Sequence, residues 1–152
     1  MLHCLSLVFF TLAVQAQKNT DFSGKVQTID STLETLYSVI SGEKGEARNW
    51  ELFNYLFKDG AQLIPSRKNE EGVIDVTYMS PKNYVETAGT WLVENGFFEK
   101  EIHRVENTFG NITQVFSTYE SYRSQKDKQP FARGINSIQL LYDGSRWWVV
   151  NI

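Results

Sequence analysis

The sequence predicts an α+β domain: three helices in its first two thirds, then four long strands in an antiparallel meander. Three observations carry this. Before Gly96, apolar residues recur at helical spacing in three separate segments. After Gly96 the chain alternates with a period of two, residue by residue, in runs that suit strands. Those runs are divided by the turn signals "FGN", "KDKQP" and "DGSR", with no helical segment between them. Helices followed by consecutive strands, rather than an alternation of the two, make an α+β arrangement.

The first helix carries Ile29, Leu33, Leu36, Tyr37 and Ile40 on one face, and Gly42 stops it. Ser31, with Glu34 three residues on, reads as its capping box. The second helix is "ARNWELFNYLFKDG", with Trp50, Phe53, Leu56 and Phe57 as its stripe and Gly60 as its end. Ser80 caps the third, and Pro81 occupies the first turn, where a missing N–H costs nothing. Tyr84, Val85, Ala88, Trp91 and Leu92 line one side of it, and Asn95-Gly96 closes it. Between the second and third helices, the short strands "AQLIP" and "VIDVTY" flank a polar loop, "SRKNEEG". In "VIDVTY", Ile74, Val76 and Tyr78 face one way, Asp75 and Thr77 the other. The long strands are Phe97 to Thr108, Ile112 to Ser124, Ala132 to Tyr142 and Arg146 to Ile152.

The first sixteen residues read as a signal peptide. Leu5 to Val14 is an apolar run of ten residues, too short to span a bilayer, followed by small residues at Val14 and Ala16 that suit cleavage after Ala16. The lack of Lys or Arg beside Met1 would suit a buried element instead; the polar "QKNTD" that follows favours export. Cys4 would leave with the signal, so residues 17–152 form one domain without cysteine. An exported domain with no disulfide must rely on its core, which points to a bacterial envelope, periplasmic or secreted. No membrane insertion is expected once the signal is removed. The net charge is −3 and no basic block exceeds "SRK" or "KDK", which argues against nucleic acid. Aromatic residues make up 14% of so short a chain and imply a large aromatic interior.

Few groups could carry chemistry. His103 is the sole histidine after the signal, so zinc or iron sites built on His and Cys are excluded and no metal or cofactor is expected. No serine sits in a Gly-rich elbow, and no Gly-rich phosphate loop appears. Glu99, Glu101, His103 and Val105 share one strand face; Phe98, Lys100, Ile102, Arg104 and Glu106 share the other. Neither is cleanly apolar, so a bulge would shift the register partway. Facing inward together, Glu101 and His103 would stand about 6–7 Å apart and could work as an acid–base pair. Facing outward, they are surface groups. Asp75 is a second candidate acid, opposite the apolar face of its strand, where a solvated carboxylate is the simpler reading. Asn136 shares a face with Ile138, Leu140 and Tyr142, which places an amide beside the core, where it needs partners from protein, water or ligand. Tyr119 and Asn151 are polar tips of the same kind. Trp147 and Trp148 must point to opposite faces, one into the core and the other against a second subunit or into an apolar patch.

The order of elements, with "NWELFNYLFKDGAQLIP" running from helix into strand and "GINSIQLLYDGSRWWVVNI" at the end, resembles the nuclear transport factor 2-like superfamily, in particular its SnoaL-like and bacterial exported members. The resemblance implies a cone-shaped curved sheet wrapped around the helices, a cystatin-like roll with an open pocket. Members use that pocket for isomerase, dehydratase, cyclase or hydrolase chemistry, or only to bind or dimerise, so the fold leaves function open. The expectation is an exported homodimer that binds a small apolar molecule without turnover, in a pocket lined by His103, Tyr119, Asn136 and Asn151. The alternative is an enzyme that uses His103 and a nearby carboxylate.

Overall fold

The computed structural model describes residues 20–152. The signal-peptide reading of residues 1–16 lies outside the described residues. After a single 3-10 turn at Ser23–Lys25 come α1 (Ile29–Ile40), α2 (Trp50–Tyr55), β1 (Phe57–Gln62), β2 (Ser66–Lys68), β3 (Ile74–Val76) and α3 (Pro81–Asn95). The long strands follow: β4 (Phe98–Phe109), β5 (Ile112–Tyr122), β6 (Ala132–Tyr142) and β7 (Trp147–Asn151). The main sheet runs β1-β7-β6-β5-β4, antiparallel except that β1 lies parallel to β7. With the helices packed on its inner face, this is the α+β cone that the sequence implies.

Expectations at two helix ends change, and the first residues of the "SRKNEEG" loop form β2. The cap of α1 is Thr28, extended at ψ 161°, whose hydroxyl accepts from Ser31 N while Ser31 Oγ accepts from Thr28 N. The box is therefore Thr28–Ser31 rather than Ser31–Glu34, and it starts the helix at Ile29. Nor does α2 continue to Gly60. At Leu56 the chain turns extended, because β7 needs a partner on that edge: Val149 N donates to Leu56 O at 2.9 Å and Phe57 pairs with Val149. Phe57 stays buried, but in the sheet, and Gly60 at φ +83° supplies a backbone that L-residues avoid. The meander thus becomes a five-stranded mixed sheet.

The core lies between α1, α2 and the inner sheet face. Leu33, Leu36 and Val39 meet Phe53 and Leu56, and against them stand Val115, Ile138, Leu140 and Val149. β2 and β3 form a separate two-stranded ribbon in which Ile74 and Val76 are exposed, and Tyr78 just beyond is 69% exposed. Their alternation reflects a ribbon with no partner layer, not a buried face. Trp147 packs on the core and against Tyr142, with ring centroids 5.2 Å apart. Trp148 faces the other way, but its own chain covers it. Lys58 Nζ stands 4.6 Å and the Arg146 guanidinium 3.6 Å from its ring, and its indole N–H donates to Asp143 at 2.6 Å. No second subunit is needed to cover it.

Candidate functional site

Arg48 anchors the end of α1, the helix that carries Tyr37. This buried guanidinium donates to the carbonyls of Ile40 (2.9 Å), Gly42 (2.7 Å) and Leu92 (3.1 Å), tying the end of α1 to α3. A Cβ at Gly42 would lie 2.3 Å from Arg48 Nη1, so only glycine allows that approach. Gly42 also bridges Phe97, with N–H···O distances of 2.7 and 3.0 Å, so α1 runs directly into the entry of β4. Ser41 adds a further link: its hydroxyl accepts from Glu99 N at 3.0 Å and donates to Tyr37 O at 2.7 Å. The backbone of Glu99 is therefore held at the end of the helix whose Tyr37 it faces.

A β-bulge then decides which side chains of β4 look inward. Glu99 pairs with Ser121 and Glu101 with Tyr119, but the next pair is His103 with Thr118, which leaves Ile102 as the extra residue. Upstream of the bulge the inner positions are Glu99 and Glu101; downstream they are Arg104, Glu106 and Thr108. His103 is turned to the outer face and is exposed. The proposed Glu101–His103 pair does not form, because one inserted residue puts the two side chains on opposite faces of the sheet.

Inside, a chain of polar groups crosses the cone. Ser121 Oγ donates to Glu99 Oε2 at 3.0 Å, and Asn136 Nδ2 reaches Glu99 Oε1 at 3.4 Å and the Tyr37 hydroxyl at 3.2 Å. Tyr37 donates to Ser117 Oγ at 2.7 Å, and Ser117 in turn donates to Glu101. Glu101 is also paired with Arg104 Nε at 3.3 Å. Burial raises the Glu99 carboxyl from 4.5 to about 7, against the opposing pull of Ser121 and Asn136. Burial likewise pushes Tyr37 and Tyr84 up to about 12 and raises Tyr119, and the Glu99 charge adds to all three.

Beside Glu99 opens a cavity of about 470 Å³. Its walls are mainly apolar, among them Leu36, Phe53, Leu63 and Met79, with Tyr84 stacked on Phe53 at 5.3 Å. Glu99 is the one charged residue among those described that line it. Tyr84 and Tyr119 also face it, and neither hydroxyl has a hydrogen-bond partner among the described residues. Tyr119 can lie flat across the sheet because its cross-strand partner is Gly134: a Cβ there would stand 2.5 Å from the phenol oxygen. Tyr37 and Glu99 also line a more open cleft of about 730 Å³, whose lining includes Asp30, Glu34, Asp127, Lys100 and Lys128.

Of the four residues expected to line the pocket, Tyr119 and Asn136 do so. Asn136 sits on the inner face that its strand pattern assigns, between Ser117 and the core. Asn151 instead donates to Gln139 Oε1 at 3.3 Å on the neighbouring strand, away from the cavity. His103 faces outward, and Asp75 is exposed on the β2–β3 ribbon. The residue that sequence reasoning missed is Glu99. It shares a face with Glu101, and the serines opposite, Ser117 and Ser121, mark a polar stripe inside an otherwise apolar sheet. Chemically, the site offers a carboxyl group able to give or take a proton near neutrality, two free phenols and an apolar wall. Among the described residues no three His, Cys, Asp or Glu side chains are grouped to hold a metal, and no helix is long and apolar enough to cross a membrane.

No protein-family model and no curated protein matches the chain. Solved structures do. A protein of unknown function with a cystatin-like fold from Nostoc punctiforme aligns over 81% of this chain and 84% of its own, with a TM-score of 0.58 at 9% identity. The β subunit of a candidate aromatic-ring-hydroxylating dioxygenase from Novosphingobium aromaticivorans covers 81% and 82%, at TM-score 0.55 and 14% identity. A candidate ketosteroid isomerase from Shewanella frigidimarina covers 79% and 88%, at TM-score 0.51 and 12% identity. Agreement along four fifths of the backbone with so few shared residues is agreement of fold, and the fold is the cystatin-like one of the Nostoc punctiforme protein.

Proposed function

We propose that this chain is an exported small-molecule-binding domain, and that its ligand is a compact, mainly apolar molecule with one polar group lodged beside Glu99. The observation that carries the reading is the cavity of about 470 Å³, apolar on most sides, with one carboxyl group and two unpaired phenols at its polar end. That combination matches the general character of small-molecule sites, which have a hydrophobic wall for affinity and few polar groups for orientation. Export rests on the apolar run and small-residue spacing of the first sixteen residues, and intact-mass analysis of secreted material beginning at Gln17 would support it.

A second reading, turnover, has its own support. Glu99 replaces His103 as the acid–base group: a carboxyl near 7 can take and return a proton in one cycle, and the Tyr84 and Tyr119 hydroxyls can donate to a developing oxyanion. One solved neighbour is itself a candidate ketosteroid isomerase. A thermal-shift screen of apolar compounds tests binding. Hits that stabilise the wild type but not Ile64→Trp, which fills the cavity wall, support it, and the absence of any such hit overturns it. Steroid-like ketones, lactones and small esters test turnover. A reaction lost in Glu99→Gln with the fold intact would make the protein an enzyme.

A further inference from the structure

We infer that the occupant of this cavity is an organic amine bound as its ammonium ion, with its charged nitrogen against Glu99 and its apolar body along Phe53 and Met79. The inference deepens the binding reading above and rests on it. Four observations converge. Glu99 is the only charged residue among the described lining residues, and among the described residues no Lys or Arg forms an ion pair with it. Two of the cations near it are engaged elsewhere, Arg104 by Asp30, Glu101 and Glu106, and Lys100 by Glu120 at 4.0 Å and the Tyr122 ring at 4.9 Å, while Lys128 lines only the adjoining cleft. Both protein groups bonded to Glu99, Ser121 Oγ and Asn136 Nδ2, act as donors, which favours the ionised carboxylate over the neutral acid. Finally, Tyr37, Tyr84 and Tyr119 line the same cavity, each close enough to Glu99 for its charge to raise the phenol, and aromatic rings attract a cation more strongly once it is desolvated.

A buried anion without a counter-charge is costly, and a ligand that brings the counter-charge recovers that cost. A neutral alcohol or ketone of the same shape recovers none of it. The groups around Glu99 set the pH dependence. Tyr37 faces it from α1, Tyr84 from α3, Glu101 and Arg104 from β4, and Tyr119 from β5; β6 contributes only the neutral Asn136. The adjoining cleft is lined by Asp30, Glu34, Asp127, Lys100 and Lys128. Burial raises the tyrosines away from neutrality and raises the Glu99 carboxyl toward it, to about 7. Binding an ammonium must therefore displace the Glu99 proton, and affinity must rise with pH until the carboxyl is ionised.

The test is titration calorimetry on the mature protein with three matched probes, phenylpropylamine, phenylpropanol and the corresponding methyl ketone. At about pH 8 the amine should bind at least tenfold tighter than either neutral probe, the gain that one desolvated ion pair can supply. Near pH 5.5 that preference should fall by about tenfold or more, with a proton released on binding, while the neutral probes stay unchanged. Glu99→Gln should erase the preference and leave the neutral probes bound. If that variant does not fold, the wild-type pH series alone carries the test. Neutral probes that bind as tightly as the amine would overturn the amine assignment and leave the cavity reading standing. If none of the three binds, both fail.

Discussion

Replacing Glu99 by Gln probes the site without any ligand. The carboxyl is raised from 4.5 to about 7 in the folded chain, chiefly by burial, so between those values the native state holds a proton that the unfolded chain has released. Stability must therefore fall as pH rises through this window. It is fully present below about 4.5, and the loss is complete just above about 7. At about 1.4 kcal/mol per pH unit, the displacement corresponds to roughly 3 kcal/mol, an upper bound because solvent enters the open cavity. Gln keeps an oxygen for Ser121 but turns an NH₂ toward Asn136, a mismatch worth about 1 kcal/mol. The variant should thus be slightly less stable than wild type near pH 4.5, and more stable by about 1–2 kcal/mol near pH 8. Urea denaturation followed by tryptophan fluorescence at several pH values measures both curves. Two parallel curves, or a wild type that gains stability between pH 5 and 8 relative to the variant, would refute the assignment of a buried, uncompensated carboxyl at Glu99.

Other perturbations follow from single contacts. Gly134→Ala places a Cβ 2.5 Å from the Tyr119 hydroxyl, so the ring must swing into the cavity; about 1–3 kcal/mol of stability and most ligand affinity should go, and an unchanged denaturation midpoint would contradict the packing. Arg48→Met leaves the carbonyls of Ile40, Gly42 and Leu92 without their donor and should cost about 2–4 kcal/mol in the same assay, with a loss below about 1 kcal/mol counting against the clamp. His103→Gln, on the outer face, should shift stability by less than about 0.5 kcal/mol and leave ligand binding as it was; a larger effect would reopen a role for the imidazole. A homodimer is proposed to cover the outer-face patch of Val105, Phe116 and Ile135, which are 54%, 52% and 60% exposed. Sedimentation should then give a dimer that Phe116→Asp dissociates, and a wild-type monomer at micromolar concentration would refute it.

Local pattern alone determined a good deal of this protein. The stripe from Leu33 to Ile40, the Ser80-Pro81 start and Asn95-Gly96 stop of α3, and the period-two runs from Phe98 to Asn151 are all read within a few residues of themselves. So is the inward face of Asn136, because Ile138 and Leu140 leave only one apolar side. These features depend on neighbours three or four positions away, or two along a strand, and such neighbours are visible in a linear text. What the tertiary structure decided depends on partners far along the chain. Phe53 and Phe57 share a helical stripe in the sequence, yet the helix ends between them, because β7, some ninety residues later, offers Phe57 a parallel edge. Alternation left one of Trp147 and Trp148 to a second subunit or an apolar patch, yet Lys58 and Arg146 of the same chain stand over the Trp148 ring. The largest difference came from one unpaired residue, Ile102. A strand alternates only while its ladder is regular, and where the bulge falls is visible only in the pairing of β4 with β5. With that residue inserted, His103 turned outward, and Glu99 and Glu101 were left as the acidic groups inside the cone.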